Sequence, residues 1–136
     1  MKDTEHRKAI KESLEVINES VQVGVESRQR TIGFHCSASV ADLLELYLHH
    51  LNAINPGKVL KHDFFTSEKK AQRKLPEEFP DKDNIIKLIV ELETQRNHLC
   101  YGKKQPKDKI EAYLNLFNSI KQLFESKGVK YDEEQK

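Results

Sequence analysis

The chain has 136 residues, 37% of them hydrophobic and 33% charged, with 23 basic side chains against 22 acidic ones for a net charge of +1. That length suits one domain that buries roughly two-thirds of its unfolded surface. The charge balance excludes a nonspecific nucleic-acid binder with a wholly basic face, so any anion site must be local. The charged stretch from Met1 to Arg7 lacks the apolar run of a secretory signal, and no segment reaches the length of a membrane span. The expected address is the cytosol with no membrane partner, and there Cys36 and Cys100 are expected as two reduced, buried thiols.

No segment alternates like a half-buried strand, and Pro56, Pro76, Pro80 and Pro106 all fall between periodic stretches, so the expected class is all-α. Ile10, Leu14, Ile17 and Val21 space a first helix from Asp3 to Gln22, with Gly24 as the break. A second helix is expected from Ser27 to Asn52. It is apolar around most of its circumference from Val40 to Leu51, which predicts a central or subunit-interface helix. A loop with Asn55, Pro56 and Gly57 leads past His62 and Asp63 to a short helix from Glu68 to Lys74. The fourth helix starts at Asp81 to Asn84, residues suited to an amino-terminal cap, and ends near Tyr101. Pro106 and Asp108 open the fifth, whose stripe of Ile110, Tyr113, Leu114, Phe117, Ile120 and Phe124 ends before Gly128. Short connections predict an up-and-down bundle of four long helices and one short one over residues 1–128, with a charged, frayed tail over 129–136.

Arg96 breaks the pattern of the fourth helix. Ile85, Leu88, Ile89 and Leu92 recur at helical spacing, and the stripe carried forward reaches Arg96 before Leu99. An unpaired arginine facing packed protein costs roughly 3–5 kcal/mol, so a carboxylate, a subunit boundary or an anionic ligand must answer it. His35, Ser39, Asp42, Glu45 and His49 make one polar stripe on the second helix. It reads either as a solvated face or as the source of a carboxylate for Arg96, from Asp42 or Glu45. Lys103, Lys104, Lys107 and Lys109 follow Arg96, either as a solvated charge run or as a loop that holds phosphates.

No metal or cofactor is expected. His98 and Cys100, two apart on a helix, point to nearly opposite sides and cannot share an ion there, and Cys100 lacks an oriented third group for nucleophilic work. Glycine-rich phosphate loops and nucleophile elbows are absent.

Arg96-Asn97 near the end of the fourth helix of a small bundle, with His62-Asp63 before the short third helix, resembles the HEPN domains of prokaryotes. The resemblance covers residues 1–128. It implies a dimer whose two Arg-Asn motifs face one composite cleft, acting as a metal-independent ribonuclease or binding RNA or a nucleotide without cutting. It also implies a minimal nucleotidyltransferase as antitoxin partner. The family motif ends in histidine after four to six intervening residues, a window that here holds Tyr101, Gly102 and Lys103. His98 comes only two residues after Arg96. The implied site is therefore Arg96, Asn97, His98 and Tyr101, with Lys103, Lys104, Asp42 and Glu45 around the ligand. In that site Arg96 stabilises charge on phosphorus, Asn97 orients a phosphate, and Tyr101 stacks on a base or donates a hydrogen bond. The alternative is a structural or partner-binding helical dimer in which Arg96 pairs with Asp42 or Glu45 across the interface.

Overall fold

The computed structural model describes residues 2–55, 59–76 and 78–131. Pro56 and Gly57 of the expected loop and residues 132–136 of the expected tail lie outside the described residues. The fold is all-helical as expected: α1 (Asp3–Val23), α2 (Gln29–His50), the short α3 (Glu68–Lys74), α4 (Lys82–Tyr101) and α5 (Lys107–Ser126). Single 3₁₀ turns at Val25–Arg28 and His62–Phe65 precede α2 and α3. Gly24 separates α1 from the first of these turns with φ +135°, a conformation that side-chain-bearing residues rarely adopt.

The α2 helix is the hub. It packs on α1 with one side and on α4 and α5 with the other, which is why Val40, Leu43, Leu44, Leu46, Tyr47 and Leu48 are all buried. The expectation of a central helix is met inside one chain. Where α2 meets α4, Gly33 makes the approach close: a Cβ there would lie 2.8 Å from Cys100 Sγ and 3.2 Å from Leu99 Cβ. Tyr113 of α5, fully buried, donates its hydroxyl to the Gly33 carbonyl at 2.9 Å. One turn earlier, the Gln29 amide donates to the carbonyls of Leu99 (3.0 Å) and Lys103 (3.2 Å) and accepts from the Gln105 N–H at 2.7 Å. This single side chain satisfies an open carbonyl at the end of α4 and fixes the turn into α5.

The polar stripe of α2 is not a solvated face. It lies against α1 as a seam: Asp3 with His49 (2.9 Å), His6 with Asp42 (2.7 Å) and Glu45 (2.5 Å), and Ser13 with His35 (3.0 Å). Sequence periodicity marks polar positions but cannot say which neighbour is polar in return. The buried face of α1 is correspondingly mixed, His6, Ile10, Ser13, Ile17 and Ser20, while Val21 is exposed. Burial alone would discharge the His6 ring. Its hydrogen bonds to Asp42 and Glu45 outweigh that and push its pKa up to about 9.

The carboxyl end extends further than expected. Gly128, at φ +90°, ends the turn after α5, and Val129 and Tyr131 then pack onto the core rather than fray. The Val129 N–H bonds the Phe124 carbonyl at 3.1 Å, and the Tyr131 hydroxyl meets Glu125 at 2.5 Å. Two apolar side chains hold residues 129–131 against the core.

Gly33→Ala is expected to cost about 1–3 kcal/mol in denaturant unfolding, because both atoms it would strike belong to a packed helix. His6 carries a raised pKa in the folded state, so its stabilisation is complete below pH 6.5 and lost as pH rises through about 9. Melting temperatures recorded from pH 6 to 10 should fall along the alkaline limb, and His6→Gln should lower the neutral plateau and flatten that limb.

Candidate functional site

Arg96 is 4% exposed, on the face of α4 that turns toward α2. Its guanidinium carbon lies 4.9 Å above the Phe34 ring and 5.8 Å from that of Tyr101, and the two rings meet edge to face at 6.4 Å. Arg30 approaches Phe34 as well, at 5.7 Å. Aromatic faces attract guanidinium, so this sandwich holds Arg96 in place without neutralising it. Its nearest carboxylate is Glu93, one turn back, with Oε2 3.9 Å from Arg96 Nε. That is too long for a hydrogen bond, and Arg96 Nε has no partner. Nη1 reaches the Asn97 side-chain oxygen only at 3.4 Å.

Arg96 opens into a groove of about 700 Å³. Phe34, Ser37, Ala38, Ala41 and Asp42 form its α2 wall, Leu60 to Asp63 face them, and Arg96 and Tyr101 close one end. The short side chains at positions 37, 38 and 41 leave the space; larger residues at this helical spacing would fill it.

Glu93 sits at the root of the site. Burial pushes its carboxyl above the ordinary range, against the opposing Ser37 hydroxyl, which donates to Oε1, and the charge of Arg96. His62 Nδ1 lies 3.7 Å from Glu93 Oε2, so His62 and Arg96 flank one oxygen. Partial burial and the Arg96 charge hold the His62 ring below its ordinary pKa, with Asp63 opposing them.

Of the residues expected from the sequence, Arg96, Tyr101 and Asp42 line this groove, and Asn97 touches Arg96 from the exposed flank. Four expectations are corrected. His98 lies apart, in a separate groove of about 410 Å³ between α4 and α5 with Gln95, Gln105 and Lys109, because two residues on a helix turn a side chain well away. Lys103 and Lys104 are exposed in the α4–α5 turn and do not line the Arg96 groove. Glu45 is buried in the α1–α2 seam, not beside the ligand space. Within the chain, Asp42 and Glu45 are engaged by His6, and neither is the counter-ion of Arg96.

Phe34, Ser37 and Glu93 were missed. Phe34 and the small residues after it at i+3, i+4 and i+7 were the available signal, and Glu93 stands three residues before Arg96.

Cys36 and Cys100 are free and buried, and burial raises both thiols, which disfavours the thiolate a nucleophile needs. Among the described residues, no three His, Cys, Asp or Glu side chains are grouped to hold a metal ion, and no helix is long and apolar enough to cross a membrane. No protein-family model, curated protein or solved structure matches the chain.

Arg96→Leu removes the charge that depresses His62 and fits the apolar stripe of α4. By proton NMR the His62 ring should then titrate closer to the ordinary 6.5, and the melting temperature should stay level or rise. A lowered melting temperature with unmoved His62 would mark Arg96 as a purely structural ion pair.

Proposed function

We propose that this protein is a HEPN-like helical homodimer that binds RNA or a nucleotide, with the phosphate on Arg96 and a base on Tyr101. One observation carries the reading: Arg96 is almost wholly buried, lacks a hydrogen-bond partner at Nε, and opens into a groove rimmed by exposed aromatic rings. Tyr101 is 67% exposed and Phe34 37%. A phosphate supplies the acceptors that Glu93 does not, and an unpaired base has a ring of its own to stack on. Asn97, exposed beside Arg96, is in reach of the same anion. The exposed rings also offer apolar surface for a second protomer, as a composite cleft requires.

The groove's imidazole is His62 rather than a residue of the 101–103 window. A neutral His62 accepts a proton when an anion arrives beside it, which adds attraction at mildly acidic pH. His62 is thereby the residue on which metal-independent cleavage would depend, since a phenol is a weaker general base than an imidazole at neutral pH. A minimal nucleotidyltransferase is the partner that this reading implies.

The structural alternative would need Asp42 or Glu45 to serve Arg96 of a second protomer while each is already engaged by His6 within its own chain.

Fluorescence anisotropy with a short single-stranded oligouridylate tests the proposal. Binding should weaken as salt is raised and tighten several-fold from pH 7.5 to 5.5, with that pH response lost in His62→Gln. Arg96→Leu should weaken it about tenfold or more. Light scattering should give a dimer mass. Affinity indifferent to both substitutions, or a monomer at all micromolar concentrations, would refute the composite cleft.

A further inference from the structure

The wall that carries His62 is a single 3₁₀ turn, His62–Phe65, entered from an irregular stretch. Between the end of α2 and the turn His62–Phe65 the described chain has no helix of more than a turn, yet it must place His62 and Asp63 opposite Arg96. Leu60 is where it regains the core: its side chain is 4% exposed, and its N–H donates to Glu45 Oε1. Glu45 is itself 2% exposed, and its other oxygen lies 2.5 Å from His6 Nε2. A buried backbone N–H donating to a buried carboxylate is a strong, directional bond, and with the buried side chains of Leu60 and Phe65 on either side it fixes where the chain enters the turn.

We propose that Glu45 is a positioning residue for the groove: clamped by His6 of α1, it holds Leu60 and thereby sets His62 against Glu93 and Arg96. A site on α4 thus depends on a pair between α1 and α2. His6 and Glu45 do not themselves line the groove. The charged and titratable groups around the clamp are His6 and Asp42, which meet at 2.7 Å, and His49, whose ring lies 5.6 Å from that of His6. The consequence for ligand binding rests on the anion-site reading given above, whereas the placement of His62 does not.

The variants Glu45→Gln and Glu45→Leu separate the two roles of the carboxylate. Glutamine keeps an oxygen for the Leu60 N–H, and leucine keeps the bulk without the acceptor. In the unliganded protein, NMR should find the His62 ring still below its ordinary pKa in Glu45→Gln but returned toward it in Glu45→Leu, as the loop leaves the Arg96 charge. In the native protein the Leu60 amide should be protected from hydrogen exchange by about a hundredfold or more over an exposed loop amide. Oligouridylate affinity should fall about tenfold in Glu45→Leu and by less than about threefold in Glu45→Gln. Should Glu45→Leu fail to fold, Glu45→Ala, which leaves room for water in place of the carboxylate, carries the same comparison.

An unmoved His62 titration in a folded Glu45→Leu or Glu45→Ala protein, or a Leu60 amide that exchanges like an exposed one, would overturn the proposal. If the native protein binds no oligouridylate, the anion-site reading fails by itself, and the His62 titrations still decide whether Glu45 positions the loop.

Discussion

Everything at the site depends on how closely α2 and α4 approach at Gly33. Without a side chain there, the last turns of α4 lie almost on the α2 backbone, and Cys100 and Leu99 occupy the space a Cβ would take. Phe34, the next residue, is then brought beneath the Arg96 guanidinium, and Ser37, one turn on, reaches Glu93. Gln29, one turn before, closes a carbonyl at the end of α4. Three consecutive turns of one helix thus position the terminus of another. A wider crossing would break each of these contacts together, since they share one separation.

The energetics around Arg96 are those of a residue held but not satisfied. Aromatic contact keeps the guanidinium in place, yet the nearest carboxylate stands at 3.9 Å and is itself pushed above the ordinary carboxylate range by burial. A tight Arg96–Glu93 pair would stabilise the chain and close the site; a loosened pair leaves charge available to something else. Local stability given up at a functional position is a common pattern in proteins. The contrast with His6 is instructive. That buried cation has a carboxylate on each ring nitrogen and opens into no cavity that Arg96 shares.

The architecture was legible in the sequence because helical periodicity and proline placement are local signals. The α3 bounds agree with those expected, and α4 and α5 depart by a residue or so at their starts. The anomaly at Arg96 was legible too, as a charge in an apolar stripe. Its surroundings were not. The carboxylate nearest Arg96 stands on α4, three residues away, rather than on α2, and the imidazole in the groove belongs to His62, thirty-four residues before Arg96. Pairing across space follows from which helix faces meet, and periodicity fixes faces without fixing neighbours. The α2 stripe shows the same limit: polar positions were found, but their burial against a polar face of α1 required the three-dimensional arrangement. Val129 and Tyr131 were hidden by the charged residues around them.

The seam between α1 and α2 also fixes alignment. Along it, Asp3 meets His49, His6 meets Asp42 and Glu45, and Ser13 meets His35, so α1 positions rise as α2 positions fall. An apolar contact between two helices tolerates sliding, because one leucine can stand in for another a turn away. Here a slip of one turn would set His6 against neutral side chains and leave Glu45 charged and alone in the interior, at a cost far above the small differences between apolar packings. The polar seam is therefore a vernier: it contributes little net attraction but admits a single antiparallel register for the first helix of the chain.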